Sequence, residues 1–254
     1  MNSGEEKEGC QLIIHGSPYS YFSVKAQAAV RWLAPPSEWK FQIRTMENAS
    51  RIESRANSRQ VPVFELCQVN WMIADTTPVL QMLDLNLFRG DTGTGRGEGG
   101  GRTWGLYGPL SRERDGGFTA AVVALLEEYL DEWTARLAVH TRWNKQESSE
   151  YAAPRMAREM LGMEERPEGA GGEDEAQVQN LGKSLAAWGK RACRATGISS
   201  ARQQAAGDRE LVRLLDGWAD HVARDVGGSD KGRNARDGGP RFLLGSAPCV
   251  VDCV

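Results

Sequence analysis

The fold class is decided in residues 11–22, which read QLIIHGSPYSYF. The short apolar run at the start of this stretch ends at Gly16 and is typical of a buried strand. A proline disfavours helical geometry in the residue before it and suits the first position of a helix, so Ser17 and Pro18 predict that a helix begins here. Small and apolar residues continue this helix until the prolines at positions 35 and 36 end it.

Four further elements follow in the N-terminal third of the chain. Residues 39–43 alternate apolar and polar side chains, as a half-buried strand does, and residues 49–57 form a polar helical stretch. Two short apolar runs, residues 61–64 and 69–73, indicate a hairpin. Residues 75–83 begin with helix-capping side chains and an early proline, which predicts another helix. The order β-α-β-α-β-β-α predicts a small mixed sheet flanked by helices.

The composition changes after this α/β part. Seven of the twelve residues from 90 to 101 are glycine, which indicates a linker or an insertion. Apolar side chains then recur at helical spacing, which predicts helices at residues 118–143, 151–163, 176–196 and 208–226. We therefore predict an α/β domain over residues 11–88, a glycine-rich linker or insertion over residues 89–117, and an all-α domain over residues 118–254.

The composition also argues against several classes of protein. The chain has 254 residues, a net charge of −3 and basic residues spread along its length, so it lacks the basic patch typical of nucleic-acid binding. No apolar run approaches the roughly 20 residues of a membrane helix, and the polar N-terminus does not have the pattern of a secretory signal. Five scattered cysteines show no spacing typical of a zinc site. We expect a cytoplasmic protein that uses no metal ion and binds neither nucleic acid nor membrane.

Four features occur in a recognisable order. They are Ser17-Pro18-Tyr19 at a strand-to-helix turn, Val61-Pro62-Val63 before a strand, Asp75-Thr76 at a helix start, and a helical domain after a linker. Together they resemble the glutathione transferase superfamily, which has a thioredoxin-like N-terminal domain and an all-α C-terminal domain. The resemblance covers residues 11–85 well and the rest of the chain in outline.

The resemblance implies that Ser17 activates the glutathione thiol. A thiol with a pKa of about 8.5 is mostly protonated at neutral pH, and a helix start with a nearby hydroxyl stabilises the reactive thiolate. Tyr19, Ser20 or Tyr21 could supply the hydroxyl instead, and the other interpretation of Ser17 is a simple helix cap. A cysteine at this position would indicate disulfide exchange, so serine favours conjugation or binding.

The resemblance also implies a glutathione site around Val61 and Asp75. Val61-Pro62 matches the cis-proline turn whose backbone pairs with glutathione, and Asp75-Thr76 matches the pair that holds the γ-glutamyl end. Gln60 stands where many relatives have a lysine for the glycyl carboxylate. The alternatives are an ordinary trans proline and a plain helix cap.

The helical domain supplies Trp133 and His140 as candidates for the wall that receives a hydrophobic electrophile. The alternative is that both belong to the core, His140 as a hydrogen-bonded structural residue. We expect glutathione conjugation by a homodimer, with a non-catalytic binding or interaction module on the same scaffold as the second hypothesis.

The last residues resemble the capping box that begins a central helix of the family's C-terminal domain. Cys249 stands where the family has a hydroxyl residue, three positions before Asp252, so we expect a weaker cap. Because the chain ends at Val254, before the helix that this box would begin, we expect a truncated helical domain.

Overall fold

The computed structural model describes residues 11–34, 36–84, 104–109, 117–163, 173–227 and 249–253. Its N-terminal part has the predicted order of elements. These are β1 (Leu12–Gly16), α1 (Tyr21–Leu33), β2 (Trp39–Ile43), α2 (Met46–Ala56), β3 (Val63–Leu66), β4 (Trp71–Ala74) and α3 (Thr77–Met82). A short 3-10 helix, Pro36–Glu38, precedes β2.

The four strands form a mixed sheet in the order β2-β1-β3-β4. β1 is parallel to β2 and antiparallel to β3, and β3 is antiparallel to β4. His15 is paired with Val63, which is paired in turn with Ala74. The end of β1, the start of β3 and the end of β4 therefore meet at one edge of the sheet. The predicted small mixed sheet is confirmed.

The first helix begins later than predicted. It starts at Tyr21, and the N-cap is Ser20, whose Oγ accepts a hydrogen bond of 3.3 Å from the backbone N–H of Ser23. Before it, residues 17–20 form a turn closed by the backbone N–H of Ser20 donating to the carbonyl of Ser17 at 2.9 Å. The prediction that Ser17 and Pro18 open the helix was wrong, because Ser20 has the three-residue spacing to Ser23 that capping requires.

The described residues of the rest of the chain are mostly helical, as predicted. α4, a π-helical segment and α5 follow one another without a break, and three more helices come after them. Their bounds are α4 (Phe118–Glu128), the π-helical segment (Tyr129–Thr134), α5 (Ala135–Trp143), α6 (Gln146–Met160), α7 (Glu173–Ala195) and α8 (Ala201–Gly227). The apolar pattern did not predict the π-helical segment, since one widened turn leaves the helical spacing nearly unchanged. No described helix has both the length and the apolar character needed to cross a membrane.

Part of the predicted linker belongs to the core. β5 (Trp104–Gly105) pairs with β6 (Gly108–Pro109), and Leu106 between them is fully buried. The carbonyl of Leu106 accepts a hydrogen bond of 2.8 Å from the backbone N–H of Val250, which is also fully buried. The glycine-rich composition predicted a linker and gave no sign of this hairpin, because a single buried leucine, Leu106, makes too weak an apolar pattern to detect. The glycine-rich residues 90–101 lie outside the described residues.

A buried ion cluster joins the α/β part to the helical part. The Lys25 ammonium on α1 is fully buried and donates to Glu127 Oε1 at 2.6 Å and to Asp131 Oδ2 at 2.5 Å. Thr77 Oγ1 and the Tyr107 hydroxyl donate to Glu127 Oε1 at 3.0 and 2.9 Å. Since buried charges require partners, this cluster fixes α1 against α4 and the π-helical segment.

The predicted capping box at the end of the described chain is present in altered form. Val250–Cys253 is a 3-10 helix, and Asp252 Oδ2 accepts from the Cys249 backbone N–H at 2.8 Å and from its Sγ at 3.2 Å. Burial and the Asp252 carboxylate raise the pKa of the Cys249 thiol to about 12. Cys249 therefore acts as a protonated core residue, and it donates to the carboxylate where a hydroxyl residue would accept from the backbone.

Candidate functional site

The predicted glutathione-site residues of the N-terminal part meet at one edge of the sheet. Ser17 follows the last residue of β1, Val61 and Pro62 precede β3, and Asp75-Thr76 follows β4. The strand register places these three ends side by side, although they are far apart in the chain. We call this end of the sheet, with Ser17, Val61-Pro62 and Asp75-Thr76 side by side, the Ser17 edge.

Ser17 makes three hydrogen bonds at this edge. Its backbone N–H donates to Ser23 Oγ at 3.2 Å, and its own Oγ accepts from the Tyr19 backbone N–H at 3.1 Å. Its carbonyl accepts from the Ser20 backbone N–H at 2.9 Å. The Ser17 side chain also lies near the carboxyl group of Glu159 on α6 and lowers the pKa of that carboxyl, as a hydroxyl donor does.

Glu159 is the functional candidate that the sequence did not reveal. Burial raises the pKa of its carboxyl above the usual value, and the nearby Ser17 side chain partly offsets this effect. The end of α6 lies close to the sheet here, since a Cβ added at Gly162 would come within 3.7 Å of Thr45 Cγ2, between β2 and α2. No local pattern marks Glu159, because only tertiary packing brings α6 to Ser17.

The alternative hydroxyl groups near Ser17 have other contacts. Ser20 Oγ caps α1, as described above. The Tyr21 hydroxyl donates to the carbonyl of Leu130 in the π-helical segment at 3.4 Å, and burial raises the pKa of this tyrosine. Tyr19 is half-buried and its backbone N–H supports the Ser17 oxygen. Ser17 lies near an acid–base group, the Glu159 carboxyl.

The peptide bond between Val61 and Pro62 is cis, as the resemblance implied. Pro62 is buried and Val61 half-buried, and the β3 ladder starts only at Val63. Val61 therefore lies just outside the paired part of the strand, where a backbone can pair with an extended ligand. Gln60 is exposed, and its backbone N–H donates to Ser58 Oγ at 3.1 Å.

Asp75 and Thr76 have an unusual local conformation. Asp75 is exposed with a φ of 84°, in the left-handed region that residues other than glycine seldom adopt. Thr76 is buried next to α3, and in the described structure its side chain makes no cap hydrogen bond. These residues therefore do not form the plain side-chain cap considered as the alternative. Local strain of this kind concentrates at binding and catalytic sites.

No protein-family model, curated protein or solved structure matches this chain. Within the ranges that the structure describes, no group of three or more histidine, cysteine and acidic side chains is placed to hold a metal ion.

The two predicted electrophile-wall residues make their contacts with α8 and with their own helix. Trp133 is half-exposed, and its Nε1 donates to Glu210 at 2.5 Å. His140 is buried, with Nε2 placed 3.1 Å from Asp208 Oδ1 and Nδ1 placed 3.0 Å from the Asn144 amide. His140 thus has the structural hydrogen bonds of the alternative interpretation, and the contacts of Trp133 do not connect it to the Ser17 edge.

A second buried pair lies beneath the Ser17 edge. His15, at the end of β1, is fully buried with Nε2 placed 2.8 Å from Glu65 Oε2 on β3. Arg51 and Arg55 on α2 contact the same carboxylate at 3.2 and 3.4 Å. Burial lowers the pKa of His15, although Glu65 opposes this shift, so the ring is neutral at pH 7. The pair links β1 to β3.

Proposed function

We propose that the N-terminal part is a thioredoxin-like glutathione-binding domain and that the protein joins the glutathione thiol to a hydrophobic electrophile. One observation supports this most strongly. The Ser17 turn, the cis Val61-Pro62 bond and the strained Asp75 come together at one edge of a β2-β1-β3-β4 sheet. A small extended peptide needs these features in combination: a hydroxyl near its thiol, a free backbone segment and a polar end clamp.

Glutathione would lie along this edge in an extended conformation. Its cysteinyl backbone would pair with Val61, which lies outside the β3 ladder. Its γ-glutamyl end would reach Asp75 and Thr76. The Asp75 carboxylate would pair with the ammonium group of glutathione, and the backbone at the start of α3 would donate to the α-carboxylate of glutathione. Gln60 is exposed beside Val61 and can donate to the glycyl carboxylate.

The Glu159 carboxyl near Ser17 would supply a route for the thiol proton. The S–H proton passes to Ser17 Oγ while the hydroxyl proton of Ser17 passes to the Glu159 carboxylate. This leaves a thiolate, a Ser17 hydroxyl that donates to the sulfur, and a neutral Glu159 that donates to Ser17. The raised pKa of Glu159 favours this transfer, because a carboxyl with a higher pKa is a stronger base.

The thiolate then attacks the electrophilic carbon. Its electron pair forms the new C–S bond, and either a leaving group departs with its bonding pair or an activated double bond takes up the charge. In the first case Glu159 releases the thiol proton to solvent, and in the second case the proton returns through Ser17 to the product. The enzyme forms no covalent intermediate in either case.

A second candidate function has its own supporting observation. The Glu159 carboxyl lies near the Ser17 side chain, and a carboxylate beside a bound thiol disfavours ionisation of that thiol. On that interpretation the edge binds glutathione as the neutral thiol, and the protein is a binding or interaction module. The two functions share the fold and the ligand and differ in whether the thiol ionises.

Calorimetry with glutathione and a conjugation assay with an aryl halide separate the two functions. If the protein is an enzyme, Ser17→Ala binds glutathione within about threefold of wild type but loses about 10²-fold or more in kcat. Glu159→Gln shows a similar loss, and the pH at which bound glutathione ionises rises, measured by thiolate absorbance. Glu150→Gln, an exposed change on the same helix, is the matched control.

Each result of that experiment decides between the candidates. Binding with neither turnover nor thiolate absorbance supports the binding module. Absence of glutathione binding by the folded wild-type chain refutes both.

We also propose that the protein forms a homodimer. Phe118 and Leu125 on α4 are 72% and 71% exposed, unusually high for large apolar side chains. Sedimentation equilibrium tests this directly. We expect a dimer that Leu125→Asp shifts toward monomer. Even weak specific dimers form at roughly 100 μM, so a wild-type chain that stays monomeric at that concentration would contradict the proposal.

A further inference from the structure

An open cleft of about 600 Å³ lies between the π-helical segment and α8. None of the residues that line it belongs to the Ser17 edge. Its lining residues are Tyr129, Ala206, Arg209, Glu210, Arg213 and Leu214. The cleft thus combines an aromatic ring and a leucine with three charged side chains.

The negative charge in the cleft is already compensated. Glu210 Oε1 accepts from Trp133 Nε1 at 2.5 Å, and Glu210 Oε2 is paired with the Arg136 guanidinium at 2.7 Å. Burial and the nearby Glu210 carboxylate raise the pKa of the Tyr129 hydroxyl. The Arg136 guanidinium also lies 3.8 Å from the centre of the Trp133 ring. These contacts hold Glu210 in place and leave its carboxylate little capacity to neutralise another cation.

Two positive charges remain. Arg209 and Arg213 are one helical turn apart, so their side chains project from the same face of α8. Among the described residues, neither guanidinium is paired with a carboxylate. A guanidinium donates two parallel hydrogen bonds to a carboxylate or a phosphate, and two of them on one wall can hold one anionic group from two directions.

We infer that this cleft binds small organic anions that carry a phosphate or carboxylate group on a flat apolar body. Arg209 and Arg213 would hold the anionic group, while the Tyr129 ring and the Leu214 side chain would contact the apolar body. Glu210 would act as a positioning residue, because it fixes Tyr129 at the edge of the cleft. The site does not depend on the proposed glutathione chemistry.

Calorimetry with three matched probes tests this inference on the full chain. 1-Naphthyl phosphate and 1-naphthoate carry the two anionic groups, and 1-naphthol carries neither. We expect both anions to bind at least tenfold more tightly than 1-naphthol. Arg209→Gln and Arg213→Gln should each weaken the anions about tenfold, as expected for a hydrogen bond to a charged group, and leave 1-naphthol unchanged. Arg202→Gln, an exposed change on the same helix, is the control.

Several outcomes would overturn the inference. Equal affinity for 1-naphthol and the anions would show that the arginines are simply solvated. Unchanged binding in the Arg209→Gln/Arg213→Gln double variant would place the probes elsewhere on the protein. Displacement of 1-naphthyl phosphate by glutathione would assign the anion site to the Ser17 edge instead. Circular dichroism of each variant confirms that the fold is intact, since both arginines are exposed.

Discussion

Replacement of Lys25 by methionine tests whether the buried ion cluster holds the two parts of the molecule together. The side chain is fully buried and within 2.6 Å of both Glu127 and Asp131. Methionine retains most of its volume but removes the charge, so two carboxylates remain buried without their cation. Removing one partner of a buried ion pair typically costs about 3–5 kcal/mol, a large part of the stability of an ordinary domain.

The loss of stability should grow with pH. Burial raises the pKa of the Asp131 carboxyl above its usual value of 3.8, and Lys25 opposes this shift through its hydrogen bond and its charge. Without Lys25, the folded-state pKa of Asp131 rises further. A carboxyl that binds its proton more tightly in the folded state loses stability as pH rises from the unfolded pKa through the folded pKa. The difference between wild type and Lys25→Met should therefore be larger at pH 8 than at pH 5.

Urea unfolding followed by tryptophan fluorescence measures both effects. Lys190→Met, an exposed change on α7, should alter the free energy of unfolding by no more than about 0.5 kcal/mol. The Lys25→Met/Asp131→Asn double variant should have a free energy of unfolding at least about 1 kcal/mol higher than the sum of the two single effects predicts, because Asp131→Asn removes one uncompensated charge. A loss below about 1 kcal/mol at pH 8, or strict additivity with Asp131→Asn, would refute the buried cluster.

Three further substitutions test packing and a second buried pair. Gly189→Ala should destabilise the protein by about 1–3 kcal/mol, because its Cβ would overlap the Trp143 ring. Gly217→Ala should stabilise α8 by up to about 1 kcal/mol, because its Cβ meets nothing within 4 Å. The thermal unfolding midpoints of the two variants should therefore shift in opposite directions. Because burial lowers the pKa of His15, stability should fall as pH drops below 6.5 through the folded pKa, and His15→Gln should reduce that slope in urea titrations at pH 5 to 7. An unchanged slope would contradict the burial of a neutral histidine beside Glu65.

Local sequence patterns predicted most of the secondary structure. The apolar run before Gly16 and the alternation at residues 39–43 correspond to β1 and β2, and the predicted hairpin corresponds to β3 and β4. The start of α1 was misplaced, because Ser17 and Ser20 are both good capping residues and only the Ser23 backbone contact selects Ser20. The hairpin around Leu106 was missed because a two-residue strand has too few side chains to show a period.

The candidate site was predictable where it depends on local motifs and not where it depends on packing. Short motifs marked the Ser17 turn, the cis Val61-Pro62 bond and Asp75-Thr76, and the register of the sheet then brought them to one edge. No motif marked Glu159, whose role depends on α6 reaching the sheet. Trp133 is a candidate for a ligand wall from its place in the helical domain, and only the structure shows that its Nε1 donates to Glu210 on α8.

The sequence by itself determined the order of strands and helices, since those choices depend on residues within a few positions of one another. Tertiary structure alone decided which charges are buried together. Lys25 of α1 is buried with Glu127 and Asp131, which lie about a hundred residues further along the chain. The energy of a buried charge depends almost entirely on the partner beside it, and a linear pattern contains no record of that partner.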